Sequence, residues 1–362
     1  MTLDIPVYRL QNQRLTQDKL DDPAAVVDWL GAVQSQDYAG GKWAIGLRTK
    51  GIAELDVERA FAEGSILRTH VMRPTWHFVT PKDIRWMLAL TAPRVRALMA
   101  YNDRQRELDK ITIKKSHDIL TKTLQGGKQV TRVELGSALQ KNKINTDDLR
   151  LTHLVMHAEL EGILCSGARQ GKQFTYALLE ERVPPAKMLE HQEAIVELAK
   201  RYFTSHGPAT LKDFIWWSGL SAMDAKFGIE TIKSEFENET VNGETYWFSG
   251  SRSNVKNTGA RAFLLPNYDE YTVGYTDRSA IFDSSHTDKL DSRGSVLAQH
   301  VILTAGRIVA TWRRTLQKNS VAIETTPFML LKKTEMKAII QAAERYGIFL
   351  GLPFTLTFGE AN

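Results

Sequence analysis

The sequence contains a single cysteine, Cys165, and no Cys-x-x-Cys pair. One thiol cannot form an internal disulfide, and the spacing typical of a structural zinc site is missing. No apolar run is long enough to cross a bilayer, and the first residues lack the basic and then apolar layout of a signal peptide. A glycine-rich phosphate loop of the nucleotide-binding kind is missing as well. These absences predict a soluble protein of the reducing cytoplasm that uses no cofactor.

Two histidines, His153 and His157, lie one helical turn apart, a spacing that metal ligands use. The pair lacks the glutamate of a His-Glu-x-x-His sequence, and no third ligand is evident. We therefore predict no metal site. Cys165 lies in the middle of an apolar run, so it is predicted to pack in the core rather than to act as a nucleophile.

The chain of 362 residues, 43% of them hydrophobic, is longer than one hydrophobic core usually supports. Its net charge of +5 permits a phosphate-rich partner without demanding one. In the first hundred residues, basic side chains and histidines are interleaved with tryptophans: Lys42, Arg48, Lys50, Arg68, His70, Arg73 and His77 beside Trp43, Trp76 and Trp86. These residues form either a solvated basic face or a phosphate-binding one.

Residues 113–183 show a pattern of three helices followed by a hairpin. The predicted helices cover 116–124, 132–139 and the stretch from 147, and the strands cover 163–167 and 173–179. This order is typical of a winged helix. Residues 184–258 repeat the order after a proline pair, with Ser221 as a predicted helix cap and Asn242-Gly243 as a predicted hairpin turn.

Residues 1–112 can be divided in the same way, with a helix over 56–63 and a hairpin over 65–79. From 259 to 362 the pattern changes to strands, one of them over 300–312, followed by a helix over 333–346. We therefore predict an α+β fold with three tandem winged-helix units followed by a small C-terminal β-barrel domain. Tandem winged helices mostly bind nucleic acid, although some act only in protein interactions.

Two glutamines, Gln34 and Gln36, directly follow an apolar run whose spacing predicts a helix over 23–33. Gly40 and Gly41 are predicted to end that helix. Residues two apart point to nearly opposite sides of an intact helix, whereas they share a face of an extended segment. A site that uses both glutamines therefore requires the chain to be unwound here.

Five stretches of the sequence resemble the AlkZ and YcaQ type of winged-helix DNA glycosylases, in the expected order: residues 32–40, 67–79, 158–167, 207–220 and 264–271. The resemblance implies three winged helices and a β-barrel that form a concave cradle for duplex DNA. It also implies hydrolysis of the N-glycosidic bond of alkylated purines, crosslinked ones included. In the family, the chemistry is assigned to a glutamine, a middle residue and a second glutamine or an aspartate. Gln34, Ser35 and Gln36 match these positions, with serine where the family usually has an apolar residue.

A carboxamide is not a general base at neutral pH, and cleavage of a glycosidic bond normally uses a carboxylate. A purine alkylated at N3 or N7 is already cationic, however, and leaves without being protonated. The remaining task is to hold a water beside the sugar carbon, for which an amide offers acceptor and donor groups. We therefore assign Gln34 and Gln36 as catalytic residues acting on cationic adducts, with neutral lesions such as uracil nearly inert.

The predicted partner is double-stranded DNA, contacted by Lys42, Arg48, Arg68, His70, Arg73 and His77. The alternative for the two histidines is a structural, hydrogen-bonded imidazole. Asp37 is predicted to cap a helix rather than to favour a cationic sugar. Asp269 and Glu270 are adjacent and diverge, so we expect them to anchor the C-terminal domain to the helical units.

Two other functions are compatible with the sequence. One is a DNA-binding protein without catalysis, such as a regulator, in which Gln34 and Gln36 only contact DNA. The other is a protein-interaction scaffold that uses the winged helices without nucleic acid. The absence of a lysine nucleophile near the two glutamines argues against a Schiff-base lyase step and favours a monofunctional glycosylase. When bound to DNA, the chain is expected at the bacterial nucleoid.

Overall fold

The computed structural model describes residues 3–16, 18–147, 149–250, 261–290 and 295–360. Within these ranges, α-helices and β-strands are mixed along the chain, and the strands form four separate sheets. In the part of the chain that the structure describes, every helix is too short or too polar to span a bilayer.

The first part of the chain combines helices with a small antiparallel sheet. Its elements are α1 Ile5–Asn12, α2 Pro23–Leu30, β1 Val33–Gln34, α3 Tyr38–Arg48, α4 Glu54–Glu63, β2 Leu67–His70, β3 Trp76–Val79 and α5 Ile84–Gln105. Strand β3 lies between β1 and β2. The predicted helix over 56–63 and the predicted hairpin over 65–79 are confirmed, as α4 and as the β2–β3 hairpin.

Helix α2 is shorter than its apolar run predicts. It ends at Leu30, because Gly31 adopts a positive φ of 81° that other residues rarely take. Gly40 and Gly41 do not end a helix, so that prediction is wrong. They lie in the first turn of α3, which begins after Asp37.

The second and third parts of the chain follow the predicted order of elements. The second part has α6 Lys110–Leu124, β4 Val130–Thr131, α7 Arg132–Lys141, α8 Arg150–Leu160, β5 Leu164–Ser166, β6 Thr175–Leu178 and α9 Leu179–Arg182. The third part has α10 His191–His206, α11 Leu211–Ser218, α12 Ala222–Ile232, β7 Glu237–Val241 and β8 Glu244–Phe248. The predicted unit boundary between residues 112 and 113 falls inside α6.

Two local signals in the third part are confirmed. Ser221 caps α12, since its hydroxyl oxygen accepts a hydrogen bond from Asp224 N at 3.1 Å. Asn242 and Gly243 both have positive φ, of 50° and 81°, and connect β7 to β8. This is the geometry of a tight hairpin turn.

The last part of the chain forms an open sheet, and no closed barrel is found among the described residues. Its elements are β9 Ala262–Leu265, α13 Glu270–Val273, β10 Val301–Thr304, β11 Arg307–Leu316, β12 Val321–Pro327, α14 Lys333–Leu350 and β13 Phe354–Phe358. The strand order is β13-β12-β11-β10-β9, so β13 and β9 lie at the two edges. The run over 300–312, predicted as one strand, is a hairpin that turns at Ala305 and Gly306. The predicted boundary between 258 and 259 lies outside the described residues.

Two hydrophobic cores share the first part of the chain. One core joins α2, α3 and α4 to the C-terminal sheet and α14. The other joins α5 and the β2–β3 hairpin to α10, α11 and α12. Val33 belongs to the first core and Ala32 to the second. The two glutamines therefore follow the point at which the two cores meet.

A buried ion pair fastens the same junction. Arg48, at the end of α3, binds both carboxylate oxygens of Asp269 at 2.8 and 2.9 Å and donates to Gln13 Oε1 at 2.7 Å. Arg48 and Asp269 are both fully buried. The predicted DNA contact of Arg48 is therefore corrected, because its guanidinium faces the interior and its charge is already neutralised.

Replacing Arg48 by alanine leaves Asp269 as an uncompensated buried charge. We expect the free energy of unfolding to fall by about 3–5 kcal/mol. Lys50→Ala is the matched control, because Lys50 binds Asp21 on the exposed surface, where an ion pair contributes about 0–1 kcal/mol. Urea unfolding followed by circular dichroism compares the two variants. Equal losses would contradict a structural role for Arg48.

Candidate active site

The Gln-Ser-Gln segment, which comprises Gln34, Ser35 and Gln36, lies outside any helix, between α2 and α3. Gln34 pairs with His77 across β1 and β3, and Ser35 N donates a hydrogen bond to Trp76 O at 2.8 Å. The predicted unwinding is confirmed. Asp37 then caps α3 by accepting from Gly40 N at 3.0 Å, which is the capping role predicted for it.

The backbone of the segment is held from several directions. Gln34 N donates to Glu270 Oε1 at 2.8 Å. Ser35 O accepts two hydrogen bonds from the Arg68 guanidinium, at 3.0 and 3.2 Å. Together with the bond from Ser35 N to Trp76 O, these contacts fix the segment before any ligand arrives.

Each carboxamide oxygen of the segment accepts one hydrogen bond from the β2–β3 hairpin. Gln34 Oε1 accepts from Arg73 Nη2 at 3.1 Å, and Gln36 Oε1 accepts from Trp76 N at 3.3 Å. Gln34 is only 6% exposed, whereas Gln36 is exposed to solvent. A carboxamide oxygen has two lone pairs, so each oxygen keeps one for a further donor such as water.

Arg73 is positioned by helix α11. Its Nη1 donates to Trp216 O at 3.4 Å. The preceding residue, Met72, has a positive φ of 63°, and a Cβ built on Gly219 would lie only 2.3 Å from its carbonyl oxygen. Gly219 itself has a positive φ of 69°, so glycine is required at this contact. The end of α11 therefore sets the place from which Arg73 reaches Gln34.

His77 contacts Arg73 and is fully buried. Its Nδ1–H donates to Thr75 O at 2.9 Å, and its Nε2 accepts from Arg73 Nη2 at 3.3 Å. Burial, together with the charge of Arg73, lowers the pKa of His77 to about 3. The imidazole is therefore neutral at physiological pH and offers no positive charge to a phosphate.

A buried carboxylate, Glu270, lies behind the backbone of Gln34. It also accepts from Trp217 Nε1 at 2.9 Å and from His206 Nε2 at 3.3 Å, and it is fully buried. Burial alone would raise the pKa of Glu270, but the hydrogen bonds from His206 and Gln34 N and the charge of Arg73 lower it to about 2. Glu270 is therefore ionised at physiological pH.

The anchoring role predicted for Asp269 and Glu270 agrees with their contacts to Arg48 and Trp217. The contact between Glu270 and the Gln-Ser-Gln segment was not predicted. The position of Trp216 beside Arg73 was not predicted either. One sequence signal pointed to these two residues: Trp216 and Glu270 lie in two of the stretches that carry the family resemblance, residues 207–220 and 264–271.

Two of the predicted DNA contacts, Lys42 and His70, are turned into the protein. Lys42 is buried and binds Glu54 and Glu58 at 2.6 and 2.5 Å. His70 is buried with its Nδ1 against the Glu159 carboxylate. Both predictions are corrected. The Lys42 ammonium already binds two carboxylates, and the His70 imidazole already contacts one.

Arg68 is buried as well, and its guanidinium lies over the Trp76 ring at 4.3 Å while it holds Ser35 O. Its predicted contact with DNA is corrected to a structural contact with the segment. Of the six predicted DNA contacts, only Arg73 is partly exposed beside the glutamines, and the other five are buried: Lys42, Arg48, Arg68, His70 and His77.

The remaining sequence candidates have structural partners. His153 Nδ1 and His157 Nε2 lie 2.6 and 3.0 Å from the two oxygens of Asp103. Within the described ranges, no three His, Cys, Asp or Glu side chains are grouped so that they could hold a metal ion. Burial raises the pKa of the Cys165 thiol to about 12, which suits packing rather than nucleophilic attack.

Ser35 is expected to tolerate loss of its hydroxyl. The residue is fully buried, and its Oγ has no hydrogen-bond partner among the described residues. Ser35→Ala should therefore raise the free energy of unfolding by about 1 kcal/mol, because an unsatisfied buried group is removed. Ser116→Ala is the control, since that buried hydroxyl is bonded to Ile113 O at 2.7 Å. Thermal unfolding measures both, and a loss at Ser35 as large as at Ser116 would contradict the assignment.

The buried neutral imidazole of His77 predicts a loss of stability in acid. Its folded-state pKa of about 3 lies below the ordinary value of 6.5, so between these values the unfolded chain binds the proton more readily. Stability is then fully present above pH 6.5 and falls as the pH drops toward 3. His77→Gln should reduce the slope of the free energy of unfolding against pH, by an amount that corresponds to up to about one bound proton. Urea unfolding at a series of pH values measures it, with the exposed His191→Gln as control; an unchanged slope in His77→Gln would reject the assignment.

Comparisons with known proteins cover nearly the whole chain. The family model described as DNA glycosylase AlkZ-like matches residues 27–349, which include the Gln-Ser-Gln segment. The interstrand DNA cross-link repair glycosylase of Streptomyces sahachiroi is 24% identical over 355 residues, covering 93% of each chain. The solved structure of the Streptomyces sahachiroi DNA glycosylase AlkZ is similar with a TM-score of 0.79 at 22% identity, covering 98% of each chain. This structural likeness shows a shared fold.

Proposed function

The chain belongs to the AlkZ-like DNA glycosylase family, and from this premise we propose that it hydrolyses the N-glycosidic bond of alkylated, cationic purines in double-stranded DNA. Gln34 and Gln36 are the proposed catalytic residues, and water is the nucleophile. The proposal rests on the two carboxamide oxygens, each oriented by one donor from the β2–β3 hairpin and each left with a second lone pair.

Three titratable groups around the segment, Glu270, His77 and Arg73, are unsuited to protonating a leaving base. Glu270, with a pKa of about 2, has no proton to give, and His77, with a pKa of about 3, is neutral. Arg73 keeps its guanidinium protons in any ordinary buffer. A purine alkylated at N3 or N7 carries a positive charge already and needs no acid. The site therefore favours such adducts over neutral lesions such as uracil.

The geometry suits a water that attacks the sugar carbon. Such a water turns a lone pair toward the carbon and its two hydrogens away from it. Gln34 Oε1 and Gln36 Oε1 are two acceptors on one short segment, so we assign one of these hydrogens to each. As the new C–O bond forms and the C–N bond breaks, the base leaves neutral and the surplus proton of the water passes to bulk solvent. Because Arg73 and Trp76 N already orient the two oxygens, little reorganisation is required when the water binds.

The charges around the segment are balanced for a cationic transition state. Cleavage of a glycosidic bond passes through an oxocarbenium-like sugar. The Arg73 guanidinium, which is bonded to Gln34, would by itself oppose that charge. The ionised Glu270 on the other side of Gln34 offsets it. We therefore assign to Glu270 the electrostatic role that was weighed for Asp37 and set aside in favour of capping, and Asp37 does cap α3.

We infer further that the three helix-and-hairpin parts of the chain are winged helices that cradle the duplex. The first covers residues 1 to about 109, the second begins at α6, the third covers 184–258, and the C-terminal domain follows from 259. The Streptomyces sahachiroi relative is named as an interstrand DNA cross-link repair glycosylase. Crosslinked purines are also cationic when joined through N7, so they are a second proposed substrate class.

The test is release of free base from duplex DNA that contains 7-methylguanine. We expect release by the unaltered protein and none from a matched duplex that contains uracil. Gln34→Ala and Gln36→Ala should each lower the single-turnover rate by about 100-fold, because the water is no longer held. Gln140→Ala, which changes an exposed glutamine on α7, is the matched control and should retain full activity.

Duplex binding is measured in parallel as a function of salt. Affinity should fall steeply as salt rises and should be retained in both glutamine variants. Equal rates on 7-methylguanine and uracil would reject the cationic-substrate argument. Salt-sensitive binding without base release from any alkylated duplex would favour a DNA-binding protein without catalysis. Absence of duplex binding would leave the protein-interaction scaffold.

A further inference from the structure

Two neighbouring tryptophans on α11 point to different surroundings. Trp217 is fully buried, and its indole N–H donates to Glu270. Trp216 is 41% exposed. All eight tryptophans lie in the described part of the chain, and Trp216 is the one whose side chain is exposed; the other seven are buried or half-buried. An exposed indole at this position is not required by the packing of α11, since Trp217 already fills the core.

The ring of Trp216 is fixed although it is exposed. Its Nε1 donates to Val273 O at 2.9 Å. The guanidinium carbons of Arg73 and Arg278 lie 5.9 and 6.0 Å from the ring centre. The indole N–H is thereby satisfied, and the apolar surface of the ring is held in one orientation toward solvent. A rigid exposed aromatic ring of this kind suits contact with a flat, apolar ligand surface.

The ring also shares a neighbour with Gln34, one of the proposed catalytic residues. The guanidinium carbon of Arg73 lies 5.9 Å from the ring centre, and Arg73 Nη2 donates to Gln34 Oε1 at 3.1 Å. The close approach of Gly219 to Met72 O secures this arrangement from the next turn of the chain. The Trp216 ring and the Gln34 carboxamide therefore have Arg73 as a common neighbour.

We propose that Trp216 is a substrate-contact residue that stacks on the alkylated nucleobase while Gln34 and Gln36 hold the water at its sugar. This inference rests on the proposed glycosylase function and deepens it. Base stacking on an aromatic ring tolerates every base and favours purines, which have the larger surface. The same residue therefore contributes to holding a purine base at the site.

The test compares Trp216→Ala with Trp216→Phe on a 7-methylguanine duplex. Loss of one stacked base should lower kcat/KM by about tenfold or more in Trp216→Ala. Trp216→Phe keeps an aromatic face and should retain most of the activity. Tyr101→Ala is the control, because Tyr101 is an exposed aromatic residue on α5 outside the contacts of the segment; it should release base at the unaltered rate.

Intrinsic fluorescence provides a readout that a merely structural role would not change. A nucleobase stacked on Trp216 quenches its emission, so part of the quenching seen when the alkylated duplex binds should disappear in Trp216→Phe. The inference is overturned if the unaltered protein releases base and Trp216→Ala is equally active, or if Trp216→Phe retains the full quenching. Absence of base release by the unaltered protein is a separate result, which rejects the proposed function itself.

Discussion

The hydrogen bond from Gln34 N to the buried carboxylate of Glu270 is the contact on which the rest of the site depends. A fully buried charge is stable only when several donors surround it, and here they come from distant places in the chain: Gln34 N, Trp217 Nε1 and His206 Nε2. Satisfying one carboxylate therefore brings the first, third and last parts of the chain together at the Gln-Ser-Gln segment. The position of the two glutamines follows from that requirement rather than from any preference of their own.

The same constraint explains why most of the basic residues near the segment do not face solvent. Arg48 neutralises Asp269, the neighbour of Glu270, and Arg68 holds the carbonyl of Ser35. Arg73 is the exception, since it reaches both Gln34 and the end of α11 while remaining partly exposed. Arg68 and Arg73 thus serve to position the segment. Under the proposed function, phosphate contacts come from other, exposed cations.

Local features of the fold could be predicted from the sequence, because their causes lie within a few residues. Asp37 caps α3 through an amide three residues away, and Asn242-Gly243 closes a hairpin by its own backbone preference. The burial of Arg48 and the contact of Gln34 with Glu270 join residues 221 and 236 positions apart, so no short pattern contains them. The open C-terminal sheet was missed for the same reason. Its edge strand β13 pairs in parallel with β12 across the whole of α14, a connection that the strand pattern alone does not specify.

A neutral amide depends more strongly on its orientation than a carboxylate does, and this difference explains why both glutamine side chains are held by hydrogen bonds. A carboxylate attracts a water hydrogen over a range of orientations, whereas the weaker carboxamide dipole acts well only when its oxygen points in the right direction. The donors on Gln34 Oε1 and Gln36 Oε1 supply that direction, and the anchored backbone keeps it. With Glu270 ionised and His77 neutral, neither of these two neighbours of the segment can protonate a leaving base. The proposed selectivity for a leaving group that carries its own positive charge rests on this lack of a proton at Glu270 and of a charge at His77.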